Sequence, residues 1–157
     1  MKHIISVLVE NKFGVLARIA GLFSARGYNI SSLAVSETID PSISYMTIVV
    51  DAKDENILEQ IKKQLNKLID VITVTDFTKK EHIERELILA KVNFPLKEKA
   101  KFEAEMQKYG AKLVYHKANA AIIEFTAEEE KIKEILKGLS KYEIKELIRA
   151  GKIAMAL

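Results

Sequence analysis

Glu10-Asn11-Lys12-Phe13-Gly14-Val15-Leu16-Ala17-Arg18-Ile19 is the stretch of this chain best suited to holding a small ligand. A polar turn containing a glycine leads into an apolar run of helical spacing, so unbonded N–H groups at the helix start point outward beside Gly14. Such amides receive a carboxylate without help from lysine or arginine. Asn11 and Asn29 add neutral amides whose oxygens can accept from an ammonium group, and both lie at the ends of adjacent elements. One zwitterionic amino acid would satisfy both sets. Asparagine and glycine are also ordinary turn formers, and spacing alone leaves that plainer reading open.

Other chemistries find little support. His3, His82 and His116 stand far apart with no second ligand at zinc spacing, so no metal is expected. Gly14, Gly21 and Gly27 form neither a phosphate loop nor a dinucleotide fingerprint. Glu128-Glu129-Glu130-Lys131, with Lys133 and Glu134, reads as a solvated helix face with i,i+4 pairs, and no residue is assigned as catalytic. The absence of cysteine excludes disulfides, thiolate metal sites and a cysteine nucleophile, and fits a reducing compartment; the cytoplasm is the expected location. The short apolar run near the start is followed by no small-residue cleavage site, and nothing approaches the roughly 20 residues of a membrane helix. Neither secretion nor a membrane association is expected. A net charge of +3 in 157 residues, with acids interleaved among the lysines, implies no nucleic-acid-binding face.

The elements that must position these residues come in two rounds. Residues 3–9 read as a strand, and a helix follows Gly14 with the stripe Val15, Leu16, Ile19, Ala20, Leu22 and Phe23, closed at Arg26-Gly27. Residues 28–38 and 44–51 read as strands around the turn Asp40-Pro41-Ser42. A helix is expected from about Asp54, with Leu58, Ile61, Leu65 and Leu68 inward, and a fourth strand over 71–77. That βαββαβ order is ferredoxin-like, with both helices on one face of a four-stranded antiparallel sheet. Strand one is apolar on both sides (Ile4 and Leu8 against Ile5, Val7 and Val9), so self-association or sheet-to-sheet contact is expected to cover the other face.

Residues 79–86 form a charged break, the expected linker between a domain at 2–78 and another at 87–157. The second round reads as a strand over 87–94, a helix begun by Pro95 with Ala100, Phe102 and Met106, and a stop at Tyr109-Gly110. A hairpin over 112–116 and 120–126 comes next, then a helix over 127–137 with Ile132, Ile135 and Leu136 inward, and a strand over 142–148. The expected fold is α+β, two ferredoxin-like domains in tandem.

The runs Ser6-Val7-Leu8-Val9-Glu10-Asn11, Gly14-Val15-Leu16-Ala17-Arg18, Gly21-Leu22-Phe23-Ser24 and Arg26-Gly27-Tyr28-Asn29-Ile30, with Met46-Thr47-Ile48 and Leu58-Glu59-Gln60-Ile61, resemble an ACT domain. The resemblance is closer to the small regulatory subunits of acetolactate synthase, also called acetohydroxyacid synthase, and covers residues 2 to 94. It implies a non-catalytic subunit, with no cofactor of its own, that activates a large catalytic subunit carrying thiamine diphosphate, Mg and FAD. It also implies feedback inhibition by valine or another branched-chain amino acid, and a homodimer through the ACT domain with the effector between two protomers. Carried over, Asn11 and Asn29 hold the effector, Gly14 and Val15 offer backbone groups to its carboxylate, and Ile30 lines the side-chain pocket. Ala17 departs from a serine present in some relatives.

Two alternatives share the element order. One is an ACT-type amino-acid sensor for another enzyme. The other is an RNA-binding module, which needs aromatics on its central strands; Ile43-Ser44-Tyr45-Met46-Thr47-Ile48-Val49-Val50 has one aromatic and no basic-glycine-aromatic motif.

Overall fold

The computed structural model describes residues 2–52 and 55–157 and divides into two compact units, Met1–Ile83 with Lys152–Leu157, and Glu84–Gly151. The first holds β1 (Lys2–Glu10), α1 (Val15–Ala25), β2 (Ile30–Glu37), β3 (Ile43–Asp51), α2 (Glu55–Leu65) and β4 (Val71–Asp76). Its strands lie in the order β2-β3-β1-β4, with every neighbouring pair antiparallel. Period-two alternation sends Ile5, Val7 and Val9 of β1 and Met46, Ile48 and Val50 of β3 to one face. There they meet Ile19 and Phe23 of α1 and Leu58, Ile61 and Leu65 of α2. The expected acidic start of α2 at Asp54 lies outside the described residues.

Ser32, Tyr45, Thr47 and Val49 share the opposite face by register. Part of that face is covered by the chain's last residues. The Lys152 N–H donates to Ser32 Oγ at 2.9 Å, and the Tyr45 hydroxyl donates to the Ala154 carbonyl at 3.0 Å. Ala154 is left 5% exposed and Thr47 1%.

The second unit repeats the order with β5 (His82–Asn93), a 3-10 turn Leu96–Glu98, α3 (Lys99–Lys108), β6 (Lys112–Lys117), β7 (Ala120–Ala127), α4 (Glu129–Leu139) and β8 (Glu143–Ala156). The strand order β6-β7-β5-β8 matches that of the first unit. Phe102 stacks on Phe94 with ring centroids 4.4 Å apart and meets Tyr142 edge-on at 5.0 Å, an aromatic centre for a core that also holds Ile88, Ile123 and Ile135.

Two elements outrun their sequence reading. β5 starts at His82, inside the stretch read as a linker, because its buried face there is held by an ion pair. The Glu86 carboxylate, almost fully buried, accepts from Arg149 Nε at 2.9 Å and from Nη2. β8 runs 14 residues, about twice the expected strand, and both β5 and β8 are cut by the division into units. In α4, Leu139 joins Ile132 and Ile135 in the core while Leu136 is only partly buried.

Phe102→Ala should cost about 3–5 kcal/mol, because a fully buried ring is replaced by a cavity; a denaturant midpoint unchanged from wild type would contradict this packing. A pH dependence arises from Glu105. Burial alone would raise its carboxyl, but hydrogen bonds from Lys141 at 2.5 Å and Tyr142 at 3.1 Å outweigh that and hold it below its ordinary 4.5. A lowered folded value gives stability that is full above pH 4.5 and lost as pH falls through the folded value. Glu105→Gln should therefore flatten the acid limb of a stability–pH profile, as read by thermal unfolding.

Candidate functional site

Four residues, Asn11 to Gly14, carry the chain from β1 into α1. Gly14 precedes the helix at φ 78, ψ −3, a left-handed conformation that costs glycine little. The turn is closed by Lys12 N–H to the Glu10 carbonyl (3.1 Å) and Val15 N–H to the Lys12 carbonyl (3.3 Å), and Arg18 N–H bonds back to Gly14 (2.9 Å). Among the described residues, the amides of Gly14, Leu16 and Ala17 have no acceptor. These three, at the positive end of the helix, are backbone donors open to an anion. Val15 packs in the core at 3% exposed, as its place on the helical stripe predicts, but its amide, expected to face the carboxylate, is taken by the Lys12 carbonyl.

The site also contains the arginine that the sequence reading left out. Arg18 Nε and Nη2 donate to Asp70 Oδ2 at 3.0 and 2.6 Å, while the Asp70 carbonyl accepts from Glu10 N–H at 2.9 Å. Asp70 is 7% exposed, so the guanidinium is anchored to a buried carboxylate. Its Nη1 lies over Gly14, 3.0 Å from where a Cβ on that residue would stand. A cation beside a helix N-terminus is unfavourable by itself. Asp70 offsets this, and a bound anion would offset it further. Arg18 stands one helical turn after Gly14, the i,i+4 spacing that could have flagged it. Lys12 is turned toward Glu10 at 2.5 Å, and that hydrogen bond and charge raise its ammonium above 10.5.

Asn11 is fixed on three sides. Its N–H donates to the Ser42 carbonyl at 2.7 Å, and its side-chain nitrogen donates to Glu37 Oε1 at 3.1 Å and to the Pro41 carbonyl at 2.9 Å. Both side-chain partners can only accept, so the nitrogen must face them and the amide oxygen is left as an acceptor. The turn beneath is held by Ser42, whose N–H and hydroxyl donate to Asp40 Oδ1 at 2.9 and 2.7 Å and keep that carboxyl below 3.8. An open depression is lined by Asn11, Lys12, Phe13, Gly14 and Arg18, with Phe13 wholly exposed.

Asn29 and Ile30 are not part of that depression. The Asn29 carbonyl accepts from Asp51 N–H at 3.3 Å, at the far end of β3 from Ser42, and Ile30 sits opposite Val50. Nine residues of β3 separate the two ends, about 25 Å at strand rise. A single chain therefore brings together Asn11, Gly14 and Arg18 and leaves Asn29 and Ile30 beyond the reach of the same small ligand. Among the described residues, no group of three or more His, Cys, Asp or Glu could hold a metal, and no helix is long and apolar enough to cross a membrane.

Residues 5–73 match the family described as the AHAS small subunit-like ACT domain, and residues 85–157 match the family described as small subunit of acetolactate synthase. The chain is 46% identical over 155 residues to a probable acetolactate synthase small subunit of Archaeoglobus fulgidus, covering 99% of this chain and 96% of that one. It is 40% identical over 156 residues to the acetolactate synthase small subunit of Bacillus subtilis, covering 99% and 91%. The crystal structure of acetolactate synthase small subunit from Thermotoga maritima superposes with a TM-score of 0.88 at 35% identity, over 100% of this chain and 98% of that one. The likeness thus extends past Phe94, where the sequence motifs stop.

The Arg18–Asp70 bridge is testable without any ligand. A double-mutant cycle of Arg18→Met and Asp70→Asn should give a coupling of about 1 kcal/mol, the arginine being half exposed and the acid buried. Zero coupling in thermal or denaturant unfolding would mean that the bridge contributes no net stability in solution.

Proposed function

The chain belongs to the family of acetolactate synthase small subunits, and we propose that its first unit is the sensor through which a branched-chain amino acid, valine first among them, restrains a catalytic partner. It is a regulatory subunit in branched-chain amino acid biosynthesis. On this reading it performs no chemistry itself. Condensation takes place on a large subunit that carries thiamine diphosphate, Mg and FAD, and this chain raises the partner's rate and makes it sensitive to the end product.

One observation carries the reading: donors and acceptors for a zwitterion converge on the turn between β1 and α1. The amides of Gly14, Leu16 and Ala17 and the Nη1 of Arg18 suit a carboxylate, and the Asn11 oxygen beside Glu37 suits an ammonium. The ligand then needs an apolar wall and a second amide, which Ile30 and Asn29 would supply from a second copy. β2 is an edge strand with free backbone groups. If β2 pairs antiparallel with its own copy about a two-fold axis between Leu33 and Ala34, Ile30 faces Glu37 of the other protomer, and the second copy's Asn29 arrives beside Asn11. The homodimer would then complete two identical sites that a monomer leaves half-built. An effector bound there favours one packing of the pair over another, which is what coupling to a partner requires.

Purified protein titrated with valine, leucine and isoleucine in a calorimeter should bind at least one of them, with two sites per dimer. Silence with all three, both alone and with the large subunit present, would overturn the reading. Gly14→Asp is the sharper probe. Aspartate tolerates the left-handed region better than most residues, and its carboxylate would lie against Arg18, in the place of the ligand's own. Feedback inhibition should weaken at least tenfold while activation of the large subunit persists; a fully inhibitable variant would mean the pocket is elsewhere.

A further inference from the structure

Asn29 and Ile30, assigned to the effector site, lead directly into a stretch of β2 whose irregularity that site does not use. The pairing of β2 with β3 shifts register between Ile30 and Ser32, a β-bulge at Ser31, whose hydroxyl donates to the Val49 carbonyl at 3.2 Å. A bulge re-aims the side chains beside it. The next residue, Ser32, offers its hydroxyl oxygen to the Lys152 N–H at 2.9 Å. Two strand positions therefore separate a proposed ligand contact from the acceptor that holds the chain's C-terminal segment.

That segment is attached in an unusual way. Lys152–Leu157 lie against the helix-free face of the first sheet, buried at Lys152 and Ala154, yet β8 is not a strand of that sheet. The attachment runs through side chains: Ser32 Oγ holds one end and the Tyr45 hydroxyl, 3.0 Å from the Ala154 carbonyl, holds the middle. Leu157 N–H reaches the Glu81 carbonyl at 3.2 Å. Hydrogen bonds through rotatable hydroxyls can be made or broken by a change of rotamer, without moving a strand. The residue before the segment, Gly151, has φ 91, a conformation few other residues adopt, and marks where β8 leaves the Glu84–Gly151 unit for the other.

From the bulge, the two hydroxyl tethers and the glycine joint, we propose that Lys152–Leu157 is a coupling strap: an effector at Asn29 and Ile30 shifts Ser32 through the bulge, and the strap relays the change along β8 to the second unit. It rests on the effector reading, so its test must separate the two. The device is a covalent strand, hydrogen-bonded to β5 through its backbone and fixed to the first sheet by two side-chain hydrogen bonds, each with two discrete arrangements, made and unmade. A signal sent this way needs no new contact to form. It also assigns the second unit a reason to share a strand with the first.

The Ser32→Ala, Tyr45→Phe variant of the 157-residue chain removes both side-chain tethers and touches no proposed ligand contact. Valine affinity of the isolated variant should stay within about twofold of wild type, while the valine needed to half-inhibit the reconstituted enzyme should rise at least tenfold, a decoupling of about 1.4 kcal/mol or more. Hydrogen exchange on the unmutated protein gives an independent readout, and amides of Lys152–Leu157 should change their exchange rate several-fold on adding valine. Unchanged inhibition in a variant that binds normally, or exchange at the strap indifferent to bound valine, overturns the strap and leaves the sensor standing. Failure of the wild-type protein to bind any branched-chain amino acid overturns both.

Discussion

The guanidinium of Arg18, pinned by Asp70 above the left-handed Gly14, is the contact on which the geometry of the candidate site depends. Asp70 precedes β4 and accepts from Glu10 at the end of β1 through its carbonyl, so one residue ties the sheet to the first turn of α1 through both backbone and side chain. Gly14 suits this site in two ways. Its positive φ turns the chain into the helix, and its missing Cβ leaves room for the guanidinium. Burying the Asp70 carboxylate is costly unless it is paired, and the pairing holds a cation where the helix already presents positive amides. The fold tolerates that concentration of positive potential because Asp70 offsets part of it. The remainder is what an anion can use.

Most of the element order was legible because both units bury one face of a sheet under two helices, and that burial writes its period into the chain. Val15, Ile19 and Phe23 at helical spacing, and Ile5, Val7 and Val9 at period two, are direct consequences of a one-sided core. The failures have a common cause in polar groups that stand in for apolar ones. β5 begins in a charged stretch because Glu86 meets Arg149 where an apolar residue would otherwise be expected. β8 outruns its reading at 142–148 because its continuation crosses the left-handed Gly151 and buries Lys152, a polar residue, on the face of a sheet.

The site was half legible for a different reason. Asn11 and Gly14 announce themselves as a polar turn before a helix, and the structure joins them. Asn29 looked close because it begins the element after α1, but adjacency along the chain ran against the topology. β2 runs parallel to β1 with β3 between them, so it starts at the sheet end opposite the one where β1 finishes. Arg18 is not singled out by its sequence context, because a carboxylate site at a helix start needs no side chain in principle. Nothing in the sequence near Arg18 announces that Asp70, 52 residues away, would hold it in place.

The distance between Asn11 and Asn29 is itself informative about how a sensor of this build would work. A site complete within one rigid sheet could bind a ligand tightly and still report nothing, because equal affinity for two states shifts neither. A site divided between the two ends of an edge strand cannot be complete without a second strand laid beside it. For the proposed sensor, occupancy and the packing of two copies are then one equilibrium rather than two. The same edge strand carries the bulge at Ser31, so the element that would feel the packing change is also locally deformable, unlike β1 and β3, which pair over nine consecutive positions without a shift. A regular ladder would resist such a displacement along its length; an irregular edge can take it up within two residues, next to the hydroxyl that holds the end of the chain.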